Sequence, residues 1–197
     1  MDLYDVAKAA LRPTTRLLFD VKVSGEQNVP AEGGLVVASN HRSYLDPPLL
    51  GTWFPRPIHF MAKQELFKMP ILGPLISAVH AFPVDRDAAD IGSVRRALRI
   101  LKEGGAIGIF PEGTRNVSGE AEYKGGAVLL AATAHCPVVP VALVRTALAT
   151  RRLRGAHVEV RIGPPIVFQG SARKATKAEL ETWTTDVESA IERLMSG

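Results

Sequence analysis

The densest group of polar side chains lies at residues 39–48, which read SNHRSYLDPP. Neutral imidazole can take the proton of an alcohol as that alcohol attacks a carbonyl, so His41 is a candidate general base. A carboxylate on the other ring nitrogen fixes the tautomer and stabilises the imidazolium, which makes Asp46 the candidate orienting group. The alternative for this segment taken alone is a turn held by local hydrogen bonds.

The spacing of the two residues sets a geometric condition. Five residues of regular helix turn the chain by ~500°, so the two side chains would lie ~140° apart. Pro47 is also expected to keep Asp46 out of helical dihedrals. A tight turn that brings Asp46 back to His41 is therefore required if the two act as a pair.

A second polar segment, FPEGTR at residues 110–115, directly follows the apolar run 106–109. Glycine lets backbone N–H groups approach an anion, and arginine offers two parallel donors to a phosphate. Glu112 either holds a substrate hydroxyl or pairs with Arg115. Taken alone, the segment fits a polar loop with a salt bridge as well as it fits a phosphate site.

Basic side chains follow three separate apolar runs. Lys63 comes after residues 58–61, Arg86 after 81–84, and Arg115 after 106–110. If these runs are neighbouring strands, their carboxyl ends share the edge where α/β sheets place their sites, and the cations converge with His41. Each cation by itself is more typical of a solvated or ion-paired surface charge, and only their joint position at several strand ends favours a phosphate site.

The elements that must position these residues are short apolar runs that alternate with helical patterns. Several runs are continuous and β-branched, which is typical of strands covered on both faces. Helices are predicted from Asp90 to Gly104, over residues 126–135, and from the capping box at 176–179 onward. The pattern predicts one layered α/β domain with a central mixed, largely parallel sheet flanked by helices. The predicted strands are 35–38, 58–61, 81–84, 106–110, 138–143 and 158–162.

Residues 1–24 are predicted to be an N-terminal amphipathic helical segment, and residues 25–197 to be the main domain. Pro13 is expected to divide the segment into two short helices. Its mixture of apolar and basic residues fits a helix lying in a bilayer interface, and equally a helix packed on its own domain. No run reaches the ~18 apolar residues of a spanning helix, and the N-terminus lacks a signal-peptide layout.

Composition narrows the class of protein. A chain of 197 residues that is 46% hydrophobic can bury a core without disulfides or metals. The net charge of +4 hints at an anionic partner, but the absence of basic runs with interleaved aromatics argues against nucleic acid. The single cysteine, Cys136, is expected to be a buried thiol in a reducing compartment. The histidines lack metal-ligand spacing, and no Gly-x-Ser-x-Gly elbow exists, so neither a metal site nor a serine nucleophile is expected.

Four motifs together resemble the glycerolipid acyltransferase family, and in particular its 1-acylglycerol-3-phosphate acyltransferase branch. The resemblance covers residues 36–143 and has one departure: the second motif usually carries a glycine shortly before its arginine, where this chain has His80 and Ala81. The motifs are His41 with Asp46, Val84-Asp85-Arg86, residues 110–115, and Val139-Pro140-Val141.

The resemblance implies a role for each matching residue. His41 is implied as the base and Asp46 as its orienting group, with Glu112 near the glycerol part of the acceptor. Lys63, Arg86 and Arg115 are implied at the acceptor phosphate, and the region of Gly113 and Thr114 is the expected source of donors to the oxyanion. Acyl-CoA or acyl-carrier protein is implied as donor, without a metal or a bound cofactor.

The resulting hypothesis is direct acyl transfer, at the cytoplasmic face of the membrane, to 1-acylglycerol-3-phosphate to give phosphatidic acid. Glycerol-3-phosphate or another lysophospholipid is the alternative acceptor. A non-catalytic lipid-binding module is the alternative from another class. A thioesterase, in which His41 activates water, is a third possibility that gives no reason for basic residues at several strand ends.

Overall fold

One seven-stranded sheet forms the centre of the computed structural model, which describes residues 3–70, 72–85, 90–113, 123–149, 155–168 and 175–197. The strands are β1 (Phe19–Ser24), β2 (Leu35–Ser39), β3 (Ile58–Lys63), β4 (Phe82–Val84), β5 (Ala106–Ile109), β6 (Val138–Val144) and β7 (Ala156–Ile162). Their order is β1-β7-β6-β2-β5-β3-β4, and every neighbouring pair is parallel except β6 with β7. The predicted mixed, largely parallel sheet is confirmed.

Helices cover both faces of this sheet, so its central strands are buried on both sides. Alternate residues of β2 serve two separate cores: Leu35 and Val37 face one, Val36 and Ala38 the other. The helices are α1 (Leu3–Leu18), α2 (Asp46–Trp53), α3 (Gln64–Phe67), α4 (Leu72–Ala78), α5 (Ile91–Lys102), α6 (Gly126–Ala134), α7 (Thr146–Ala149) and α8 (Lys177–Ser196). Helix α2 packs in the first core, whereas α5, α6 and α8 pack in the second.

The helix ends confirm the sequence signals that predict them. Asp90 accepts a hydrogen bond from the Ser93 N–H at 2.9 Å and so caps α5. Thr176 and Glu179 form the reciprocal capping box of α8. These local signals fix where the two helices begin, and the apolar spacing then determines which face of each helix is buried.

The strand order reverses at β2, because the chain leaves β5 on one side of it and enters β6 on the other. In open α/β sheets such a reversal leaves a crevice beyond the carboxyl ends of the strands. The segment that follows β2 contains His41, and the segment that follows β5 contains Glu112. The topology therefore brings the two polar segments together.

The N-terminal segment differs from the prediction in two respects. Helix α1 runs unbroken through Pro13, because anchors at both ends hold it: the Tyr4 hydroxyl donates to Gly51 O at 2.9 Å, and the Trp53 indole N–H donates to Thr15 Oγ1 at 3.2 Å. Strand β1 pairs with β7 along its whole length. The helical segment therefore ends at Leu18 rather than at residue 24.

The basic residues of α1 contact the carboxyl end of α2, whereas some of its apolar residues are exposed on the opposite face. Lys8 Nζ donates to Phe54 O at 2.6 Å, Arg12 Nε donates to Thr52 O at 3.3 Å, and the Arg16 guanidinium lies 5.1 Å from the Trp53 ring centroid. Cations at the carboxyl end of α2 also complement its helix dipole. The opposite face carries an exposed apolar stripe, defined by Leu3, Val6, Ala10, Pro13 and Leu17.

Candidate active site

The centre of the candidate site is a hydrogen bond of 3.0 Å between His41 Nδ1 and Asp46 Oδ2. The Asp46 side chain is fully buried, whereas the His41 side chain keeps 15% of its surface exposed. A buried carboxylate that touches a solvent-accessible imidazole is the arrangement that a general base requires. The predicted turn between the two residues is present.

Asp46 also organises the turn that delivers it to His41. Its Oδ2 atom accepts from the backbone N–H groups of Arg42 and Ser43, both at 2.7 Å, and Ser43 O accepts from the Asp46 N–H at 3.2 Å. Contrary to expectation, Asp46 is the first residue of α2. Pro47 and Pro48 lie in the first helical turn, where no backbone N–H is needed for the helix, so they favour this start rather than prevent it.

The hydrogen bonds determine the tautomer of His41. Asp46 Oδ2 already accepts two backbone N–H groups, so it is an acceptor toward the ring as well. The ring proton therefore lies on Nδ1, and Nε2 carries the lone pair. Nε2 is the atom that can remove a proton from a substrate.

Glu112 binds the same loop from the neighbouring strand end. Its Oε1 atom accepts from the His41 backbone N–H at 3.3 Å, and its buried Oε2 atom has no hydrogen-bond partner among the described residues. Burial raises the pKa of Glu112, although the His41 N–H and the nearby charge of Arg42 oppose the shift. The carboxyl group is thus held ready for a polar ligand group.

Replacing Glu112 with Gln is expected to make the protein more stable relative to wild type as the pH rises. As the pH rises, Glu112 loses its proton at a lower pH in the unfolded chain than in the folded protein, because burial raises its pKa in the folded state. The free energy of unfolding of wild type therefore falls as the pH rises from the ordinary glutamate pKa through the raised pKa of the folded state. Glutamine keeps an oxygen for the His41 N–H and carries no charge. Thermal melts from about pH 4 to about pH 8 test this. The prediction is wrong if the melting temperature of Glu112→Gln minus that of wild type stays constant or decreases as the pH rises. That result would mean that burial does not disfavour the charged form of Glu112.

An aromatic column fixes the His41 ring from the other side. The rings of His41 and Phe110 stack with centroids 4.3 Å apart, and Phe110 stacks on Phe60 at 6.2 Å. Gly108 makes the column possible, since a Cβ atom there would lie 2.5 Å from the Phe60 ring. This role of Phe110 was not predicted from the sequence, although the residue directly precedes the Pro-Glu-Gly turn.

Asn40 holds the base of the loop. Its side chain donates to Leu143 O at 2.9 Å and accepts from the Leu143 N–H at 2.7 Å, which extends the β2–β6 ladder beyond its last backbone pair. This buried amide was also missed, because its sequence signal is only that it stands before His41. The loop that carries the imidazole is therefore anchored on two neighbouring strands.

Comparison with known proteins agrees with this geometry. A family model described as Acyltransferase matches residues 20–144, which include all of β1 except Phe19, β2 to β6, and both polar segments. The chain belongs to the acyltransferase family.

Individual members of the acyltransferase family are similar to the chain over most of its length. The 1-acyl-sn-glycerol-3-phosphate acyltransferase of Bacillus subtilis is 34% identical over 98% of this chain and 96% of its own. The protein with this description from Limnanthes douglasii is 34% identical over 74% of this chain and 54% of its own. The crystal structure of the 1-acyl-sn-glycerophosphate acyltransferase PlsC from Thermotoga maritima superimposes with a TM-score of 0.77 at 28% identity, over 98% of this chain and 79% of that one.

Two cations that were not predicted as site residues, Lys124 and Arg42, lie beside the residues of the candidate site. Gly113 has a φ of +73°, and a Cβ atom on it would lie 3.2 Å from Lys124 Nζ, so the lysine side chain lies across this glycine. Burial raises the pKa of Glu112 and of Tyr123, and the positive charge of Arg42 opposes both shifts. The buried Nε atom of Arg42 lacks a hydrogen-bond partner among the described residues. An oxygen-rich ligand would satisfy this donor.

The cations predicted at strand ends are only partly within the described residues. Lys63 ends β3 at the same sheet edge as His41, but its amine pairs with Glu65 at 3.4 Å and is half exposed. The described ion pair of Lys63 is thus with Glu65 rather than with Glu112 or Asp46, and its proposed role at the phosphate stays a prediction. Arg86, Thr114 and Arg115 lie outside the residues that the structure describes.

His80 is one of the two residues, with Ala81, that stand nearest to the glycine expected from the resemblance to the acyltransferase family. Its φ is +63°, in the left-handed region that favours glycine. The ring stacks on Tyr4 at 4.8 Å and on His59 at 4.7 Å. These contacts link the start of β3, the end of α4 and α1, and they offset the strained backbone. The chain thus keeps a glycine-like path while it carries an aromatic ring.

The remaining candidates from the sequence have structural roles. Cys136 is buried, and this burial raises its pKa to about 11, so the expected inert thiol is confirmed. His157 lies between Asp20 and Glu159, at 2.8 and 3.1 Å, on strands far from His41 in the sheet order. The described residues contain no group of three or more histidine, cysteine, aspartate or glutamate side chains placed to hold a metal ion.

Proposed function

We propose that the chain transfers a fatty acyl group from an acyl thioester to the free hydroxyl of 1-acylglycerol-3-phosphate, which gives phosphatidic acid. The observation that carries the proposal is the 3.0 Å contact between the accessible His41 ring and the buried Asp46 carboxylate. The 1-acyl-sn-glycerol-3-phosphate acyltransferase of Bacillus subtilis, which is similar over nearly the whole chain, also supports the proposal.

The proposed reaction is direct and needs no acyl-enzyme. His41 Nε2 takes the proton of the acceptor hydroxyl as the oxygen attacks the thioester carbonyl. Asp46 stabilises the imidazolium that results. Collapse of the tetrahedral intermediate breaks the C–S bond, and the leaving thiolate takes the proton back from Nε2. The products are the new ester and the free thiol, with His41 neutral again.

The acceptor phosphate is proposed to bind the cations at the carboxyl edge of the sheet, namely Lys63, Arg86 and Arg115. Arg42 is an additional donor, since its Nε atom is buried and faces no partner among the described residues. Glu112 Oε2 is likewise buried without a hydrogen-bond partner among the described residues. We propose that it contacts the glycerol part of the acceptor. Backbone donors for the oxyanion are proposed near Gly113 and Thr114.

The donor is proposed to be acyl-CoA or acyl-carrier protein, used as a substrate, with no resident cofactor. The site of action is proposed to be the cytoplasmic face of the cell membrane, with peripheral attachment. Among the described helices, none is both long and apolar enough to cross a bilayer. The attachment is instead proposed to use the apolar stripe of α1, since five residues within ~80° of one another on a helix fit a bilayer interface.

Replacing Val6 and Leu17 of the apolar stripe with Ser is expected to lower binding to phospholipid vesicles by about 30-fold, because each of the two exposed apolar side chains contributes on the order of 1 kcal/mol on insertion. Both side chains are exposed, at 42% and 78%, so the fold should melt at the wild-type temperature. Ile91→Ser with Leu129→Ser is the matched control, with exposed apolar residues on the opposite face. Equal losses of vesicle binding in the two double variants would contradict attachment through α1.

An acceptor screen tests the proposed function. Purified protein is incubated with one acyl thioester and either 1-acylglycerol-3-phosphate, glycerol-3-phosphate or another lysophospholipid, and the products are identified by mass spectrometry. The proposal expects the highest kcat/KM with 1-acylglycerol-3-phosphate. Preference for another acceptor would correct the substrate, and binding without any acylated product would indicate a non-catalytic lipid-binding module.

A further inference from the structure

The outer face of α5 carries a basic and apolar surface that the reaction does not use. Positions 91, 95, 99 and 102 fall within ~80° of one another around a helix, so they share one face. Arg95, Arg99 and Lys102 are exposed there beside Ile91 and Val94, which are 62% and 46% exposed. We call these five residues the α5 face.

The cations of the α5 face form no ion pair with any residue that the structure describes. Helix α5 itself contains no acidic residue. The adjacent helix α6 has no charged residue at all and exposes Leu129 at 53%. Arg96 differs from these cations, because its guanidinium lies 4.9 Å from the Phe82 ring centroid. Unpaired cations around exposed apolar side chains favour an acidic partner.

The α5 face is turned away from the apolar stripe of α1. Helix α5 packs in the core on one face of the sheet, whereas α1 packs on α2, which belongs to the core on the other face. A flat bilayer that receives the stripe therefore cannot also contact the α5 face. The partner of the α5 face must approach from the aqueous side.

The amino end of α5 reaches the edge of the sheet that holds the site. Asp90, which caps the helix, also accepts from the backbone N–H of Asp85 at 3.1 Å, and Asp85 directly follows β4. Strand β4 runs parallel to β3, and through β3 and β5 to β2, so its carboxyl end shares the edge with His41. A partner that covers the amino-terminal part of the α5 face, at Ile91, Val94 and Arg95, thus reaches the sheet edge that holds the site.

We propose that the α5 face docks an acidic carrier protein that presents the acyl thioester. The inference rests on the proposed function, in which a carrier protein is one of two donor classes. The carrier's acidic surface contacts Arg95, Arg99 and Lys102, and its apolar side chains contact Ile91 and Val94. Its acyl group reaches His41 from the aqueous side while the acceptor arrives from the bilayer.

The test compares two double variants that carry the same change in charge. The α5 variant combines Arg95→Glu and Arg99→Glu, and the control combines Lys22→Glu and Lys177→Glu. Both control lysines are exposed and lie outside the α5 face. Acyl transfer is measured with acyl-carrier protein and with acyl-CoA of the same chain length. The α5 variant should lose about tenfold or more in kcat/KM with the carrier donor, because reversed charges oppose encounter, and change little with acyl-CoA. The control should change with neither donor.

Direct binding keeps this inference separate from the proposed function. Carrier protein is titrated into wild type and both variants by calorimetry, and thermal melts verify that each variant is folded. Carrier binding that weakens only in the α5 variant supports the docking surface, whether or not acyl transfer is found. The absence of acyl transfer with every donor would contradict the proposed function but not the docking surface. Equal loss with both donors, no carrier binding by wild type, or loss of anionic-vesicle binding instead would overturn the docking proposal.

Discussion

Replacing His41 with Ala is expected to lower kcat for phosphatidic acid formation by about 10³-fold, with little change in the KM for the acceptor. The variant loses the only described imidazole that contacts the buried Asp46 carboxylate. The acceptor contacts proposed for the cations and Glu112 remain, so ground-state binding should persist. Initial rates with saturating thioester and varied acceptor measure both constants.

His135→Asn is the matched control for this substitution. His135 lies at the carboxyl end of α6 with a φ of 52°, a left-handed conformation that asparagine also tolerates. This variant should keep the wild-type rate. A His41→Ala enzyme that retains more than about a tenth of wild-type kcat would contradict the role of His41, since general-base catalysis contributes at least that much.

Replacing Asp46 with Asn is expected to lower kcat by about 10²-fold while the protein stays folded. Asparagine offers one oxygen to the backbone N–H groups of Arg42 and Ser43, so the turn can survive. It lacks the negative charge that stabilises imidazolium, so proton transfer to His41 becomes less favourable. The measurement is kcat as a function of pH for the variant and wild type.

Asp46→Ala separates the catalytic role of this carboxylate from its structural one. Alanine leaves two buried N–H groups without an acceptor, and each such loss costs on the order of 1–3 kcal/mol. The alanine variant should therefore melt at a lower temperature than the asparagine variant. If Asp46→Asn matched wild type in kcat, the Asp46 side chain would serve only to hold the turn before α2, and the proposed pair would have no catalytic role.

The fold could be predicted from local signals to a large extent. Continuous apolar runs mark β2, β5 and β6 because these strands are buried on both faces, and the capping residues Asp90 and Thr176 mark the starts of α5 and α8. Strand β1 was missed because half of its residues are exposed and its pairing with β7 is between residues more than 130 positions apart. Such long-range pairing has no local signature.

The site was predicted less completely, for reasons that lie in geometry. Residue type and spacing identify His41, Asp46 and Glu112, but no periodicity describes the turn that joins the first two. The inward direction of Lys8 and Arg12 depends on the free carbonyl groups at the end of α2, which only the tertiary structure places beside them. Phe110 and Asn40 have structural partners on other strands, and these partners are invisible in the sequence.

The coupling of thioester cleavage to the presence of the acceptor tests the central claim most directly. In a rapid-quench experiment with labelled acyl-CoA, wild-type protein should release thiol only when 1-acylglycerol-3-phosphate is present, in equal amount to the phosphatidic acid formed. No label should remain on the protein. Thiol release without acceptor, or label bound to the quenched protein, would contradict direct attack by a lipid hydroxyl that His41 deprotonates.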